Sequence, residues 1–212
     1  MDMESAEALQ QLLMESAVPP NSEVALRLRS YLDLLEKWNS RINLASSTEW
    51  RVIGPMVREA IWAAAFYPPE AGSHLDIGSG AGFPALLLKS LMPSIELDMV
   101  ERREKKCRFL ETAAHALGLG GVYVHHALLS EYLLGYAGGK SWDCMSWKAV
   151  KLSADELLQL RAHCHTRTQL WMFHGKQAAT EGTETLRPGF ELFRKEKVPG
   201  TRESFLSVYR PR

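Results

Sequence analysis

The segment that most constrains the fold of this chain is the glycine-rich run at residues 74–84, HLDIGSGAGFP. An apolar run that predicts a strand comes just before the glycines, and an apolar run that predicts a helix follows them. Glycine lets a backbone turn tightly and approach a ligand that a Cβ atom would keep away. The segment therefore predicts a strand–turn–helix unit whose turn binds a nucleotide-like molecule.

After this turn the sequence alternates between strand-like and helix-like patterns. Strands are predicted at 74–77, 95–100, 122–125, 142–146 and 169–173, helices at 84–91, 104–117 and from Ser153, and two more strand-like runs at 190–194 and 204–209. Such alternation is typical of a parallel sheet that helices cover on both faces. We therefore predict a three-layer α/β domain over residues 71–212.

The residues before the turn are predicted to be helical. Helices are expected at 4–16, after the capping residue Ser22, and at 50–66, with a break at Gly54 and Pro55 because proline interrupts helices. Two prolines and a glycine at 68–72 then predict a linker. Residues 1–70 are therefore expected to form an N-terminal helical extension.

Composition limits the class of protein. The chain has 212 residues, 46% of them apolar, and 25 basic residues balance 25 acidic ones. No apolar run approaches the ~20 residues of a membrane span, and Cys107, Cys144 and Cys164 show no pairing or metal-binding spacing. We expect a cytoplasmic protein, a monomer, without a metal.

Two carboxylates indicate which ligand the turn binds. Asp76 lies two residues before Gly78, where it would repel a pyrophosphate and attract the cationic sulfonium of S-adenosylmethionine. Phe83 stands where the dinucleotide fingerprint has its last glycine, and Glu101, at the end of the second strand, can accept ribose hydroxyls. These features favour a methyl-donor site. An NAD-type site and a purely structural turn are the alternatives.

Several segments together resemble one family. They are YLDLLEKWN at 31–39 with INL at 42–44, the loop DIGSGAGFP at 76–84, the second-strand segment with Glu101, Lys105, Lys106, Phe109 and Leu110, and the fourth-strand segment 142–149. In combination they resemble the ribosomal RNA small subunit methyltransferase G family, also called the glucose-inhibited division protein B family. The resemblance runs over about residues 24–176.

The resemblance implies a class I methyltransferase fold with a seven-stranded, mostly parallel, Rossmann-like sheet. It also implies methyl transfer from S-adenosylmethionine to N7 of a guanine in 16S rRNA, free or within the small ribosomal subunit. Together with the loop chemistry, it predicts cofactor binding by Asp76, Gly78, Ser79, Gly80, Gly82, Phe83, Glu101, Leu129, Ser130 and Lys148. It predicts RNA binding by Arg102, Arg103, Lys106, Lys148, His174 and Lys176. Lys148 is also a candidate for positioning the substrate.

Guanine N7 suits this chain because it carries a lone pair and no proton, so its methylation needs no general base. None of the three cysteines follows a proline, as the nucleophile of cytosine-C5 enzymes typically does, and the fourth strand lacks the Asn/Asp-Pro-Pro-aromatic turn of adenine-N6 enzymes.

The chain also departs from the family pattern, mainly where RNA would bind. Glu59, Trp62 and Ala63 stand where the family has His-x-x-Asp-Ser, and Ala85 stands where it has Gly. Leu128 and Lys148 each stand where the family has Arg, Ser130 where it has an acid, and His174 where it has Lys. Two other functions therefore remain open. One is a methyltransferase of the same fold with a different RNA or small-molecule acceptor, and the other is a non-catalytic protein that binds RNA or the ribosomal subunit.

Overall fold

The sheet contains seven strands in the computed structural model, which describes residues 2–176, 186, 188–201 and 203–212. The strands are β1 (Ser73–Ile77), β2 (Glu96–Glu101), β3 (Val122–His126), β4 (Cys144–Lys148), β5 (Gln169–Gly175), β6 (Phe190–Lys197) and β7 (Ser204–Pro211). Their order is β3-β2-β1-β4-β5-β7-β6. The first five strands pair in parallel, whereas β7 is antiparallel to both β5 and β6. The predicted fold class is confirmed.

The helices connect and cover these strands. They are α1 (Met3–Glu15), α2 (Glu23–Asn39), α3 (Trp50–Ala64), α4 (Ala85–Leu91), α5 (Glu104–Ala116), α6 (Leu129–Glu131), which runs into a π-helical turn (Tyr132–Tyr136), and α7 (Ala154–Ala162). Side-chain caps fix several starts: the Ser22 and Ser153 hydroxyls accept hydrogen bonds from Ala25 N and Glu156 N. The sequence did not predict α6 or the turn after it.

The N-terminal helices share their core with the α/β domain. Leu9 of α1 and Leu35 of α2 are fully buried in one apolar cluster with Leu86 of α4, Leu97 of β2 and Phe109 of α5. Apolar side chains from both sides of residue 70 are thus buried in the same cluster. The division into an extension at 1–70 and a domain at 71–212 stays a prediction, and the core crosses it.

Helix α3 is continuous, so the predicted break at Gly54 and Pro55 is wrong. A proline inside a helix loses its own N–H bond and crowds the carbonyl four residues before it, and a helix that is held by packing can tolerate these costs. Val57 and Ala60 are fully buried and hold α3 against the core. Gly54 leaves room for the Trp50 ring, because a Cβ atom at Gly54 would lie 2.7 Å from Trp50 Cε2.

Within the described ranges, no helix is both long and apolar enough to cross a membrane. Cys107 and Cys144 are buried, Cys164 is half-buried, and all three are free thiols.

Candidate active site

The loop after β1 is tied to the end of β2 by backbone hydrogen bonds. Gly78 N and Ser79 N both donate to Val100 O, at 2.8 and 3.2 Å. Gly80 adopts a φ of +58°, a conformation that glycine reaches without the steric penalty of a Cβ atom. The loop therefore leaves the sheet in a fixed direction, at the carboxyl ends of the parallel strands where α/β proteins bind their ligands.

Glu101 holds this loop from the neighbouring strand. Its Oε2 accepts a hydrogen bond from Gly80 N at 2.9 Å, and its Oε1 accepts one from Arg103 N at 2.9 Å. The side chain is buried, with 6% of its residue surface exposed. Each carboxylate oxygen has a second lone pair, so Glu101 can still accept hydrogen bonds from a ligand.

A second set of contacts holds the loop from behind. The Tyr31 hydroxyl of α2 donates to Ala81 O at 2.6 Å, and the Tyr31 ring packs edge-on against Phe83 with centroids 5.3 Å apart. The helical extension thus positions the loop through Tyr31.

A cavity of about 650 Å³ opens beside the loop; we call it the loop cavity. Seven of the predicted cofactor residues line it: Gly78, Ser79, Gly80, Phe83, Glu101, Leu129 and Lys148. The opposite wall comes from residues 149–152 after β4, with Leu44 and Met56 from the N-terminal part. The sequence missed that wall, although Leu44 belongs to the motif at 42–44.

Three predicted cofactor residues, Asp76, Gly82 and Ser130, are not among the residues that form the loop cavity. Gly82 faces the helices, since a Cβ atom there would lie 2.6 Å from Leu86 Cδ1. Ser130 is half-buried in α6. The expectation of a direct contact between Asp76 and the sulfonium has no support from where Asp76 lies.

Asp76 belongs instead to a buried polar chain across β1 and β4. Ser146, its register partner on β4, donates to Asp76 Oδ1 at 2.6 Å, and Ser146 Oγ is 2.8 Å from His74 Nε2. His74 Nδ1 lies 3.2 Å from the Tyr67 hydroxyl. With Ser146 donating to Asp76, His74 must donate through Nε2 and accept through Nδ1. The chain runs Tyr67–His74–Ser146–Asp76 beneath the loop.

Burial changes the acidity of two members of this chain, Asp76 and His74. It raises the pKa of the Asp76 carboxyl to about 7, against the opposing hydrogen bond from Ser146. It lowers the pKa of His74 to about 3. Asp76 Oδ2 is buried without a hydrogen-bond partner, which is costly for an ionised carboxylate and favours the protonated form.

Lys148, at the end of β4, forms an ion pair with Glu59 of α3. The Glu59 side chain is 5% exposed and that of Lys148 is 27% exposed, so the pair is largely shielded from water. Both residues are departures from the family pattern, and they contact each other. This contact could not be predicted from the sequence, because the two positions are 89 residues apart.

The predicted RNA-binding residues fall into two groups. Arg102, Arg103 and Lys106 line the rim of the loop cavity together with Lys148. His174 and Lys176 lie at the end of β5: His174 is 2.8 Å from Ser207 Oγ, and Lys176 pairs with Glu203 at 3.7 Å.

A second cavity, of about 440 Å³, shares residues 148–152 with the loop cavity; we call it the side cavity. Glu59, Trp147, Phe173 and His174 contribute to its walls. No cluster of three or more His, Cys, Asp or Glu side chains that could hold a metal occurs in the part of the chain that the structure describes.

The chain matches known proteins over most of its length. The GidB family model, described as rRNA small subunit methyltransferase G, matches residues 25–203. A protein of that description from Streptococcus pneumoniae (strain ATCC BAA-255 / R6) is 28% identical over 155 residues, which cover 68% of this chain and 62% of that protein. One from Desulfitobacterium hafniense (strain Y51) is 35% identical over 121 residues, 57% of this chain and 50% of that protein. The matches thus span less than two thirds of these relatives.

Solved structures share the fold at low sequence identity. The PH0226 protein from Pyrococcus horikoshii OT3 has a TM-score of 0.63 at 17% identity, covering 85% of this chain and 99% of that chain. TrmN from Thermus thermophilus has a TM-score of 0.60 at 19% identity, covering 74% of this chain and 49% of that chain. These similarities agree with the fold of this chain. The extent of the family match shows that this chain belongs to the GidB family, the rRNA small subunit methyltransferase G family.

Proposed function

We propose that this protein is a 16S rRNA (guanine-N7)-methyltransferase that uses S-adenosylmethionine. The observation that carries the proposal is the loop cavity, where the glycine loop, Glu101 and Lys148 meet at the carboxyl ends of β1, β2 and β4. Membership of the GidB family supports the reaction and the substrate class.

The loop cavity has the size and surface that this cofactor requires. Its volume of about 650 Å³ lies within the usual range for cofactor sites. At Gly80 the loop offers bare backbone, since the nearest atoms to a Cβ atom there, Gly78 O and Lys106 Nζ, would be 3.7 and 3.8 Å away. A side chain at this position would project into space that a ligand needs. The residues present therefore fit S-adenosylmethionine.

Each wall has a part in binding. The loop residues Gly78, Ser79 and Gly80 would hold the methionine part, Glu101 would accept the ribose hydroxyls, and Leu129 would pack against the adenine. Asp76 would not contact the cofactor. It would act on the binding surface from beneath the loop, through Ser146 and the loop backbone. Gly82 would shape the loop by packing on α4.

When bound, S-adenosylmethionine supplies an electrophilic methyl group on a sulfonium. Guanine N7 attacks through its lone pair and has no proton to lose, so the protein needs to orient the base and exclude water. The arrangement of the site agrees with this. Glu101 is held by two backbone N–H groups and Lys148 by Glu59, so both serve as fixed positioning groups.

RNA would approach over the basic rim. Arg102 and Arg103 are exposed and Lys106 is half-buried, and their charges lie beside the cavity mouth. Phosphate contacts of this kind fix the register of a nucleic acid and leave the choice of base to other groups. We propose that the partner is 16S rRNA, free or within the small subunit, and that the protein acts as a monomer in the cytoplasm.

The test is transfer of labelled methyl from S-adenosylmethionine to 30S subunits and to 16S rRNA that lack the family's modification. Labelled 7-methylguanosine among the product nucleosides is the expected result. A different methylated nucleoside would indicate another acceptor. Binding of S-adenosylmethionine without transfer to either substrate would contradict the proposal and favour the non-catalytic alternative.

A further inference from the structure

The side cavity is walled mainly by apolar side chains. Val150, Leu152 and Met172 line it with aliphatic side chains, and Trp147 and Phe173, which are 3% and 1% exposed, also border it. Cavities of this kind suit a planar base that has been turned out of its nucleic-acid stack. Residues 148–152 line both this cavity and the loop cavity, so a ligand in the side cavity lies next to the proposed cofactor.

Glu59 places a carboxylate in this apolar wall. Only 4% of the surface of Glu59 is exposed, and the Lys148 ammonium donates a hydrogen bond to its Oε1. A buried carboxylate needs such a partner to stay ionised, and an ionised carboxylate can only accept hydrogen bonds. The cavity therefore offers an acceptor group among surfaces that otherwise favour an apolar face.

We propose that the side cavity holds the acceptor guanine and that Glu59 reads its Watson–Crick edge. Guanine presents two adjacent donors on that edge, N1–H and N2–H₂, and a carboxylate can accept from such a pair with two parallel hydrogen bonds. N7 lies at the other end of the ring system. A guanine whose Watson–Crick edge meets Glu59 can thus turn N7 toward the adjoining loop cavity.

This arrangement would also discriminate against other bases. Adenine carries an acceptor, N1, where guanine carries a donor, so its lone pair would face the Glu59 carboxylate. Inosine keeps N1–H and lacks the amino group, so it would lose one of the two hydrogen bonds. The inference rests on the proposed function, because it names the recognition step of that same reaction.

The experiment compares guanosine with inosine at the methylated position of a 16S rRNA fragment, once that position has been mapped. Single-turnover methyl transfer is measured for the wild type, for Glu59→Gln and for Glu49→Gln. Glu49 precedes the same helix and is exposed in its pair with Arg51, so the control makes the same chemical change outside the cavity. Binding of S-adenosylhomocysteine and thermal unfolding are followed in parallel.

We expect the wild type and Glu49→Gln to prefer guanosine over inosine by about tenfold or more, the discrimination that one well-formed base contact provides. In Glu59→Gln, transfer to guanosine should fall about 10- to 100-fold, and the guanosine-to-inosine ratio should approach one. S-adenosylhomocysteine binding should stay within about twofold, because Glu59 contacts the side cavity.

An unchanged guanosine-to-inosine ratio in Glu59→Gln would overturn the inference, while 7-methylguanosine made by the wild type would leave the proposed function intact. Absence of 7-methylguanosine from the wild type would overturn both. Should Glu59→Gln fail to fold, Glu59→Asp answers the question, because it keeps the charge beside Lys148 and shortens the reach. Glu59→Asp should fold and lose the preference, and a wild-type ratio in that variant would count against the inference.

Discussion

Gly80 N and Glu101 Oε2 lie 2.9 Å apart, and this hydrogen bond joins the loop after β1 to the end of β2. The second oxygen of the same carboxylate accepts from Arg103 N, at the start of α5. One side chain therefore fixes two backbone segments that border the loop cavity. The binding surface is formed before a ligand arrives, which lowers the cost of ordering it on binding.

Glu101→Gln should weaken both the loop and cofactor binding. Glutamine keeps one acceptor oxygen, and its amino group would face a backbone N–H that needs an acceptor. We expect the free energy of unfolding to fall by about 1–3 kcal/mol, the cost of an unpaired buried donor, and the affinity for S-adenosylmethionine to fall at least about tenfold. Urea denaturation and calorimetric titration measure the two quantities.

Glu104→Gln is the matched control for that variant. Glu104 lies three residues further on and makes an exposed pair with Arg108. Such pairs contribute little, about 0.3–0.5 kcal/mol, because water and salt screen them. If Glu104→Gln and Glu101→Gln weakened cofactor binding equally, Glu101 would have no special part in the site.

Gly80→Ala should reduce the affinity for the cofactor. Its loss of stability should be about the same as that of an alanine replacement at another glycine with the same backbone conformation. Gly118 provides that comparison: its φ is +62°, close to the +58° of Gly80, and no atom lies within 4 Å of a Cβ atom there. Both variants should lose about 1–2 kcal/mol from left-handed strain. Only Gly80→Ala should bind S-adenosylmethionine at least about tenfold more weakly; equal affinity in both variants would refute the loop assignment.

The parts of the fold and site that the sequence predicted are those fixed by local pattern. Alternating strands and helices indicated the parallel sheet, and the run at 74–84 indicated the loop that lines the cavity. The continuous helix α3 could not be predicted in this way, because its burial against the core comes from residues far along the chain. Local rules about proline took no account of that packing.

The direction of the Asp76 side chain depends on a partner 70 residues away. Asp76 and His74 lie on the same face of β1, and only the pairing of β1 with β4 brings Ser146 beside them. A strand that is buried on both sides has no solvent-facing side to reveal which way a carboxylate points. The contact between Glu59 and Lys148 escaped prediction for the same reason of sequence distance.

Lys148→Ala should lower methyl transfer more than it lowers cofactor affinity, because Lys148 holds Glu59 as well as lining the loop cavity. The change leaves the buried Glu59 carboxylate without its cation, at a cost of about 3–5 kcal/mol in the free energy of unfolding. In the double variant Lys148→Ala with Glu59→Gln, most of that stability should return while transfer stays low. A double-mutant cycle in urea measures the coupling, and a coupling of zero would mean that the ion pair stabilises nothing.

The buried chain beneath the loop predicts an unusual dependence of stability on pH. Folded Asp76 keeps its proton up to about pH 7 and unfolded Asp to about 3.8, so the folded state binds more protons between these values. The free energy of unfolding therefore falls as the pH rises through that range. His74 acts in the opposite sense: its folded pKa of about 3 lies below the unfolded 6.5, so stability rises with pH between those values.

Asp76→Asn should separate these two opposing contributions. Asparagine cannot titrate, so between about pH 4 and 6.5 only the rising contribution of His74 should remain, and the variant should gain stability with pH relative to the wild type. His74→Gln should show the reverse, a loss of stability as the pH rises toward 7. Urea midpoints at pH 5, 6 and 7.5 and constant ionic strength measure both, with Asp155→Asn, an exposed residue in the first turn of α7, as the control. If Asp76→Asn and Asp155→Asn both kept the wild-type dependence of stability on pH, Asp76 would be ionised in the folded protein. The carboxylate beneath the loop would then carry a charge.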